Sequence, residues 1–218
     1  KYLSNFFKGT KNPSLKAMKF LMDEFKHPED KIKTIHIAGT NGKGSATEMI
    51  TNVLINEGYT VGKFISPHLI HYNERISVNN NNISNIEMEE LIEKINPAIE
   101  KYNSTSDVPI TLFELETTMA FLYFEQKKCD FVVLETGLGG MYDCTNIINH
   151  PLVSIITSIG YDHMNILGNT LPEIAYQKAG IIKRNSHTVI FEEEPEIDNV
   201  FISECKKKNS ILRIVKKK

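Results

Sequence analysis

The sequence predicts an α/β fold built on a mostly parallel sheet with helices on both faces. Short, near-continuous apolar runs such as 131–134 and 154–156 alternate with longer stretches whose apolar residues recur at three and four. Runs of that kind are strands buried on both faces, and their alternation with helices is the order of a parallel sheet. Polar, glycine-rich segments follow three of these strands, after Ala38, Glu135 and Thr157. Open sheets of this class bind ligands outside the carboxyl ends of their strands, so those segments are where chemistry is expected.

Each element has its own signal. Leu15, Met18, Leu21, Met22 and Phe25 form one helical face, with Ser14 as N-cap and Pro28 beyond the end. Residues 34–38 read as a strand halted by Gly39, and 46–57 as a helix with Met49, Ile50, Val53 and Leu54 inward and Gly58 at its end. A strand follows over 60–65. The asparagine-rich stretch 77–84 is a surface loop or hairpin tip. Ser84 stands three residues before Glu87, the capping-box spacing, and opens a helix towards Tyr102 with Pro97 as a kink or break. After a loop over 104–109, residues 111–128 read as a strongly amphipathic helix. Strands at 130–135 and 152–157, a helix at 171–179 ending at Gly180, a strand at 188–191, a helix near 198–208 and a strand at 211–215 complete the order.

Composition narrows the function. At 218 residues the chain holds one large domain, or one domain and part of another. Twenty-five Lys+Arg against 27 Asp+Glu give a net charge of −2, which argues against a general nucleic-acid binder but leaves room for a local anion site. No run approaches the roughly 18 apolar residues of a membrane span. Residues 1–7 lack the apolar core of a secretory signal, and the first residue is Lys1, not Met, as expected of a trimmed chain. Cys129, Cys144 and Cys205 have neither metal spacing nor an even count, which fits a reducing cytoplasm. The lysines at 206–208 and 216–218 read as a solvated helix face and a chain end.

The first glycine-rich segment carries the sharpest signal. Gly39, Thr40, Asn41, Gly42, Lys43, Gly44 and Ser45 stand between a strand and a helix. Backbone N–H groups at a helix start point at an anion, and glycines let the backbone approach it. Lys43 would supply charge to the β- and γ-phosphates, and Ser45 would reach a phosphate or its Mg²⁺. The strict G-x-x-x-x-G-K-[ST] pattern fails at Ile37 and Gly44. A plain glycine-rich turn is the competing reading.

The stretch from His36 to Ser45 resembles the ATP loop of folylpolyglutamate synthases, within the Mur ligase superfamily, whose loop variant accounts for both mismatches. Five further blocks resemble that family in order. They are Ser66-Pro67-His68-Leu69 with Glu74-Arg75-Ile76, then Thr111 to Glu114, then Glu135 to Gly140 with Asp143, Thr145 and Asn146, then Thr157 to His163, and finally Gln177 to Ile182. Departures from the family pattern stand at Thr136, Met141 and Cys144.

The resemblance implies a P-loop-type nucleotide-binding domain like the central domain of Mur ligases. It implies an ATP-dependent ligase that joins L-glutamate to a folate, or to dihydropteroate, through an acyl phosphate. Such a reaction needs positioning and electrostatics and no protein nucleophile. Glu135, at the end of a buried strand, is a reasonable Mg²⁺ ligand on its own chemistry. The resemblance adds Ser66 and His163 to a site for two ions, although a lone histidine is more often structural and nitrogen donors suit softer metals. It also makes Lys178 a carbamylated lysine, where spacing alone favours an exposed helix residue. Thr111, Phe113, Glu114, Tyr142, Asp143 and Cys144 match positions that contact the pteridine end of folate. Phe113 would stack on the ring and Asp143 would hydrogen-bond it, with ordinary core packing the alternative for Phe113. Arg75 would orient an anionic substrate or form a surface ion pair. Lys43, Lys178 and His163 would be the catalytic residues.

Relatives of this kind run to about twice this length. Residues 1–218 would therefore be the N-terminal ATP-binding domain, itself incomplete, with the glutamate-binding domain outside the chain. A cytoplasmic monomer without nucleic-acid or membrane partners is implied. Two alternatives stay open: a murein-peptide ligase, disfavoured by the blocks at 66–69 and 74–76, and a nucleotide-binding module inactive as a fragment.

Overall fold

The computed structural model describes Phe6 and residues 14–216. The signal-sequence reading of 1–7, apart from Phe6, and the last two lysines lie outside the described residues. One eight-stranded sheet organises the chain, in the order β4-β3-β2-β5-β1-β6-β7-β8. The strands are β1 (Lys33–Ala38), β2 (Val61–Phe64), β3 (Ile76–Val78), β4 (Asn81–Asn82), β5 (Phe131–Glu135), β6 (Val153–Ile156), β7 (His187–Phe191) and β8 (Ile211–Val215). All pair in parallel except β3 and β4, which close one edge as an antiparallel hairpin. The hairpin turns at Asn79 and Asn80, with φ of 48° and 60°. A tight hairpin turn needs such values at both central residues, and asparagine tolerates them.

Helices cover both faces, as the apolar strands require. They are α1 (Lys16–Glu24), α2 (Lys43–Asn56), α3 (Asn85–Asn103), α4 (Leu112–Gln126), α5 (Met164–Leu167), α6 (Leu171–Lys178) and α7 (Pro195–Lys208). Alternate residues of β5 serve opposite layers. Val132 and Leu134 pack in the cluster of α1, α3 and α4, whereas Val133 joins Ile35, Ile37 and Val61 under α2. A third cluster joins Ala38 and Ile156 to α6 and α7.

Three expectations need correction, and a fourth is narrowed. Met49 and Val53 are 69% and 61% exposed, while Thr47 and Thr51 of α2 are fully buried. The helix starts at Lys43, and residues 47, 50, 51 and 54 share its sheet-facing stripe; the count of apolar residues misled because α2 carries them on both sides. Residues 114–124 of α4 are buried all round, so this helix is not amphipathic. It lies between the sheet and the α1/α3 layer, within the largest core cluster. Of the two readings of Pro97, a kink or a break, the break is excluded: α3 runs through it, with Leu91 and Ile95 buried before it and Ala98 and Ile99 after. A continuous apolar face there outweighs the lost backbone bond, a penalty of about 3 kcal/mol. Ser14 is not a cap: Leu15 occupies that place and makes no side-chain cap bond. The capping box at Ser84 and Glu87 is present, and so is an unforeseen one at Thr111 and Glu114.

The Thr51 hydroxyl is buried without a hydrogen-bond partner. Valine has the same shape and no polar atom to desolvate. Thr51→Val is therefore expected to stabilise the chain by about 1 kcal/mol, read as a higher urea midpoint at unchanged slope. A lower midpoint would show that the hydroxyl is bonded in solution.

Candidate active site

The site grows from the middle of the sheet. β1 lies between β5 and β6, so the segments that leave these three strands emerge side by side. After Ala38 the chain turns through 39–42 into α2. Gly39 has φ of +152°, and a Cβ there would lie 1.8 Å from Thr157 Oγ1, so no other residue fits without displacing the neighbouring segment. Gly42, at φ +85°, hands the chain to α2. The loop is stapled to the residues after β6. Thr40 N–H donates to the Ser158 carbonyl at 2.8 Å, Gly160 N–H donates to Thr40 Oγ1 at 3.0 Å, and Ser158 Oγ donates to the Asn41 carbonyl at 3.2 Å. The first N–H groups of α2 are thereby held above the end of β1, as an anion cradle requires.

Two lysines converge on this loop. Lys43 Nζ donates to the carbonyls of Gly39 and Thr40 at 3.1 and 3.4 Å. Lys178 Nζ donates to the same Gly39 carbonyl at 2.8 Å. Spacing alone made Lys178 an exposed helix lysine; it is 2% exposed. Burial, and then the charge of Lys43, pull its pKa down to about 8. Removal from water disfavours the ammonium, and a like charge adds to the penalty.

Glu135 ends β5 with 6% exposure. A Cβ on Gly44 would lie 3.7 Å from its Oε2, which places the carboxylate beside the start of α2. Burial raises its pKa to about 7, against the lowering effects of Lys43 and of the Ser66 N–H that donates to it. Glu135 and the Ser66 backbone are thus neighbours, and the carboxylate is a hard oxygen donor of the kind that suits Mg²⁺. His163 lies in the segment that follows β6. It opens α5 at φ +47°, its side chain is 54% exposed, and its ring neighbour is Asp162 at 3.4 Å.

Beside Ser66 opens a pocket of about 820 Å³, lined by Thr111, Phe113, Glu114, Tyr142, Asp143 and Cys144 among others. All six predicted substrate-side residues other than Arg75 therefore share one cavity. Their roles divide. Tyr142 is exposed and free to meet a ligand. Phe113 lies flat against the loop after β5, where a Cβ at Gly137 would come within 2.6 Å of its ring, and packs on Phe64 at 5.8 Å between centroids. Thr111 and Glu114 are partners in the α4 capping box. Burial holds the Cys144 thiol well above its ordinary pKa, which disfavours the thiolate.

Asp143 and Arg75 are committed elsewhere. Asp143 Oδ2 accepts from the N–H groups of Gly137 and Leu138 at 2.9 and 2.8 Å, and Oδ1 accepts from Thr145 N–H and Oγ1. Four donors fill its acceptor capacity, so it shapes the pocket wall instead of hydrogen-bonding a ring. Arg75 is neither a surface ion pair nor turned to the pocket. Its Nη1 donates to Glu116 Oε2 at 2.9 Å and reaches Ser66 Oγ at 3.4 Å, while Nε donates to His68 Nδ1 at 3.1 Å.

Sequence reasoning missed the groups behind these two. Glu116 is 2% exposed and also accepts from the Tyr72 hydroxyl. A second glutamate inside the apolar run of α4 was the available signal. His36, fully buried in β1, donates from Nε2 to Thr145 Oγ1 at 2.8 Å, the tautomer being set by the bond from Thr145 to Asp143. Burial holds this ring neutral, with a pKa lowered to about 3. Leu138, Leu167 and Gln177 complete the pocket wall.

Comparison with known proteins places this geometry. Residues 37–217 match the model of the Mur ligase middle domain. A dihydrofolate synthase/folylpolyglutamate synthase of Bacillus subtilis is 50% identical over 196 residues, covering 89% of this chain and 45% of that protein. The crystal structure of a folylpolyglutamate synthase from Thermotoga maritima superposes with a TM-score of 0.89 at 36% identity, over 98% of this chain and 48% of that one. An FPGS–AMPPCP–folate complex superposes with a TM-score of 0.92 at 34% identity, over 98% and 52%. The chain spans about half the length of the curated relatives it matches.

Glu135 also sets a pH dependence. Its folded pKa, raised to about 7, exceeds the ordinary 4.5, so the folded state holds its proton longer than the unfolded chain. Its contribution to stability is therefore full below pH 4.5 and lost as pH rises through 7, by roughly 3 kcal/mol. Gln mimics the protonated acid. The stability of the native chain relative to Glu135→Gln is expected to fall across that window in paired urea titrations. A constant difference would mean an unperturbed carboxylate.

Proposed function

The chain belongs to the Mur ligase family, and from that premise we propose that it is the nucleotide-binding part of an ATP-dependent ligase that adds L-glutamate to a folate or to dihydropteroate. One observation carries this reading: the 39–45 cradle and the 820 Å³ pocket adjoin at Ser66, which lines the pocket and whose backbone N–H lies near enough to Glu135 to lower its pKa. A phosphoryl donor and a carboxylate acceptor need that adjacency. The relatives at 34–50% identity bear folate-enzyme names, and no observation favours a murein peptide. The glutamate site and the rest of the catalytic crevice are assigned to a second domain outside residues 1–218, so this chain alone is not expected to ligate glutamate. Three cysteines free of disulfides accord with a reducing compartment, and among the described residues no helix is long and apolar enough to cross a membrane.

The chemistry follows from the cradle. The γ-phosphate of ATP would rest on the N–H groups that open α2, with Lys43 swinging from the Gly39 and Thr40 carbonyls to the β- and γ-oxygens. A substrate carboxylate presented from the pocket attacks the γ-phosphorus, and ADP leaves to give an acyl phosphate. The glutamate amine then attacks the acyl carbon and phosphate departs. Glu135 and Ser66 would hold Mg²⁺, which neutralises phosphate charge when bound. The backbone N–H donors are fixed before reaction, so little reorganisation is needed from them at the transition state. In the pocket, Phe113 and Tyr142 offer faces for a flat bicyclic ring.

Lys178 is proposed to be carbamylated. A buried amine with pKa near 8 is partly neutral at pH 7.5–8, and the neutral nitrogen can attack the carbon of CO₂ with loss of one proton. The product carries anionic oxygens next to Lys43, so two repelling cations become an ion pair. Carbon-13 NMR of the chain in labelled bicarbonate is expected to show one carbamate signal that disappears in Lys178→Ala. Persistence of that signal in the variant would assign it to another amine.

Lys43→Ala is expected to weaken nucleotide binding at least tenfold, about 1.4 kcal/mol, with the unfolding midpoint nearly unchanged. Lys43 is anchored only to loop carbonyls, so its loss opens no cavity. Native affinity in calorimetric titration of the variant would remove the loop from the nucleotide site.

A further inference from the structure

At the opposite end of β1, away from the nucleotide loop, α1 passes into the strand through a tight turn. Lys26 and His27 both have positive φ, 60° and 53°, and a short 3-10 turn over Pro28–Lys31 follows. This folding presses the His27 ring between carboxylates. Nδ1 lies 3.0 Å from Glu29 Oε1, and Nε2 lies 3.1 Å from Asp23 Oδ1. Ligand atoms of His27, Glu29 and Asp30 all lie within 4.8 Å of one another.

Glu29 sets the turn apart from an ordinary acidic surface. Its side chain is 2% exposed, its carboxylate faces the His27 ring, and its Oε2 is buried with no hydrogen-bond partner. A carboxylate oxygen in that state is costly unless a proton or a cation compensates it. Lys31, the nearest lysine after it in sequence, gives its ammonium to Glu125 at 2.6 Å. Three carboxylates thus surround one imidazole.

We infer that this turn binds a divalent transition cation of the zinc type through His27 Nδ1 and the carboxylates of Glu29 and Asp30. The donor set selects the class. Imidazole with carboxylates suits zinc and its neighbours, whereas magnesium and calcium prefer oxygen alone. With Nδ1 as ligand, Nε2 carries the proton and donates to Asp23. A carboxylate behind a metal-bound histidine fixes the ring and its tautomer in just this way. His27 and Asp30 are exposed, so water can complete the coordination. The bound cation would tie the end of α1 to the start of β1.

Zinc chloride titrated into the chain without nucleotide, in competition with a chromogenic chelator, tests the site. One equivalent should bind at about micromolar affinity or tighter and raise the thermal midpoint. His27→Asn keeps a residue that tolerates φ near +53° but offers a poor zinc ligand. It should weaken binding at least tenfold and remove the zinc-dependent rise, and so should Asp30→Asn, an exposed change that spares the fold. Magnesium chloride should raise no midpoint through this site, so its response should be equal in the native chain and both variants. The inference is overturned by absence of saturable zinc binding, or by binding that survives both substitutions. It is also overturned if His27→Asn loses the same stability with and without zinc, which would make the ring an ion-pair cap and nothing more.

Discussion

The parallel pairing of β1 with β5 on one side and β6 on the other is the constraint on which the rest depends. Three strands that run the same way end at the same edge, and register sets how near their exits lie. Ile37 stands opposite Glu135, and Ala38 opposite Ile156. The loop after β1 therefore meets the segment after β6 within hydrogen-bond distance, and the last residue of β5 comes up beside the start of α2. Gly39 is the tightest point, since any side chain there would strike Thr157. Slippage of one residue in either pair would carry Glu135 to the other face of the sheet or pull Thr157 away from the loop.

Charge is buried at this edge at a cost, and the local structure shows how each group is met. Asp143 is met by four donors and Glu116 by Arg75 and the Tyr72 hydroxyl. These two are closed systems. Removing either partner would strand a buried charge, which costs more than the pair contributes. Glu135 and Lys178 are met only in part; burial moves their pKa values towards neutrality, as it does those of Asp143 and Glu116, but fewer partners oppose it. Groups that are buried, strongly shifted and incompletely paired are those free to take a ligand or change covalently. Asp143 and Glu116 hold walls in place, while Glu135 and Lys178 remain available.

Most of the sheet was legible because its strands announce themselves as apolar runs and its helices as three-and-four repeats. The site loops were legible for a different reason: glycines and a lysine between a strand and a helix have few other uses. What could not be read was direction. Met49 and Thr47 both fit a helix, and only packing against the sheet decides which faces in. The same limit hid Lys178, since nothing local distinguishes a lysine on an exposed face from one turned under a loop 139 residues away. Asp143 was recognised as belonging to the pocket but not as saturated by its own loop, because its donors are backbone N–H groups that leave no mark on residue type. Glu116 and His36 were invisible for a related reason, as their partners lie on other elements.

The two faces of the sheet place the cradle and the pocket on opposite sides of the same strands. Ile37 and Glu135 face the α2 layer, where the cradle lies, whereas His36 and Leu134 face the α4 layer, where the pocket lies. A nucleotide bound at the cradle and a ring bound against Phe113 thus approach from opposite sides of the same strand ends. Ser66, after β2, touches both regions: it lines the pocket, its N–H reaches Glu135, and its hydroxyl is within reach of Arg75, which Glu116 anchors to α4. α4 is thus linked to Ser66 through one part-buried ion pair. That ion pair ties the Ser66 side of the pocket to the packed core of α4, while the loop bonds to Ser158 and Gly160 hold the cradle.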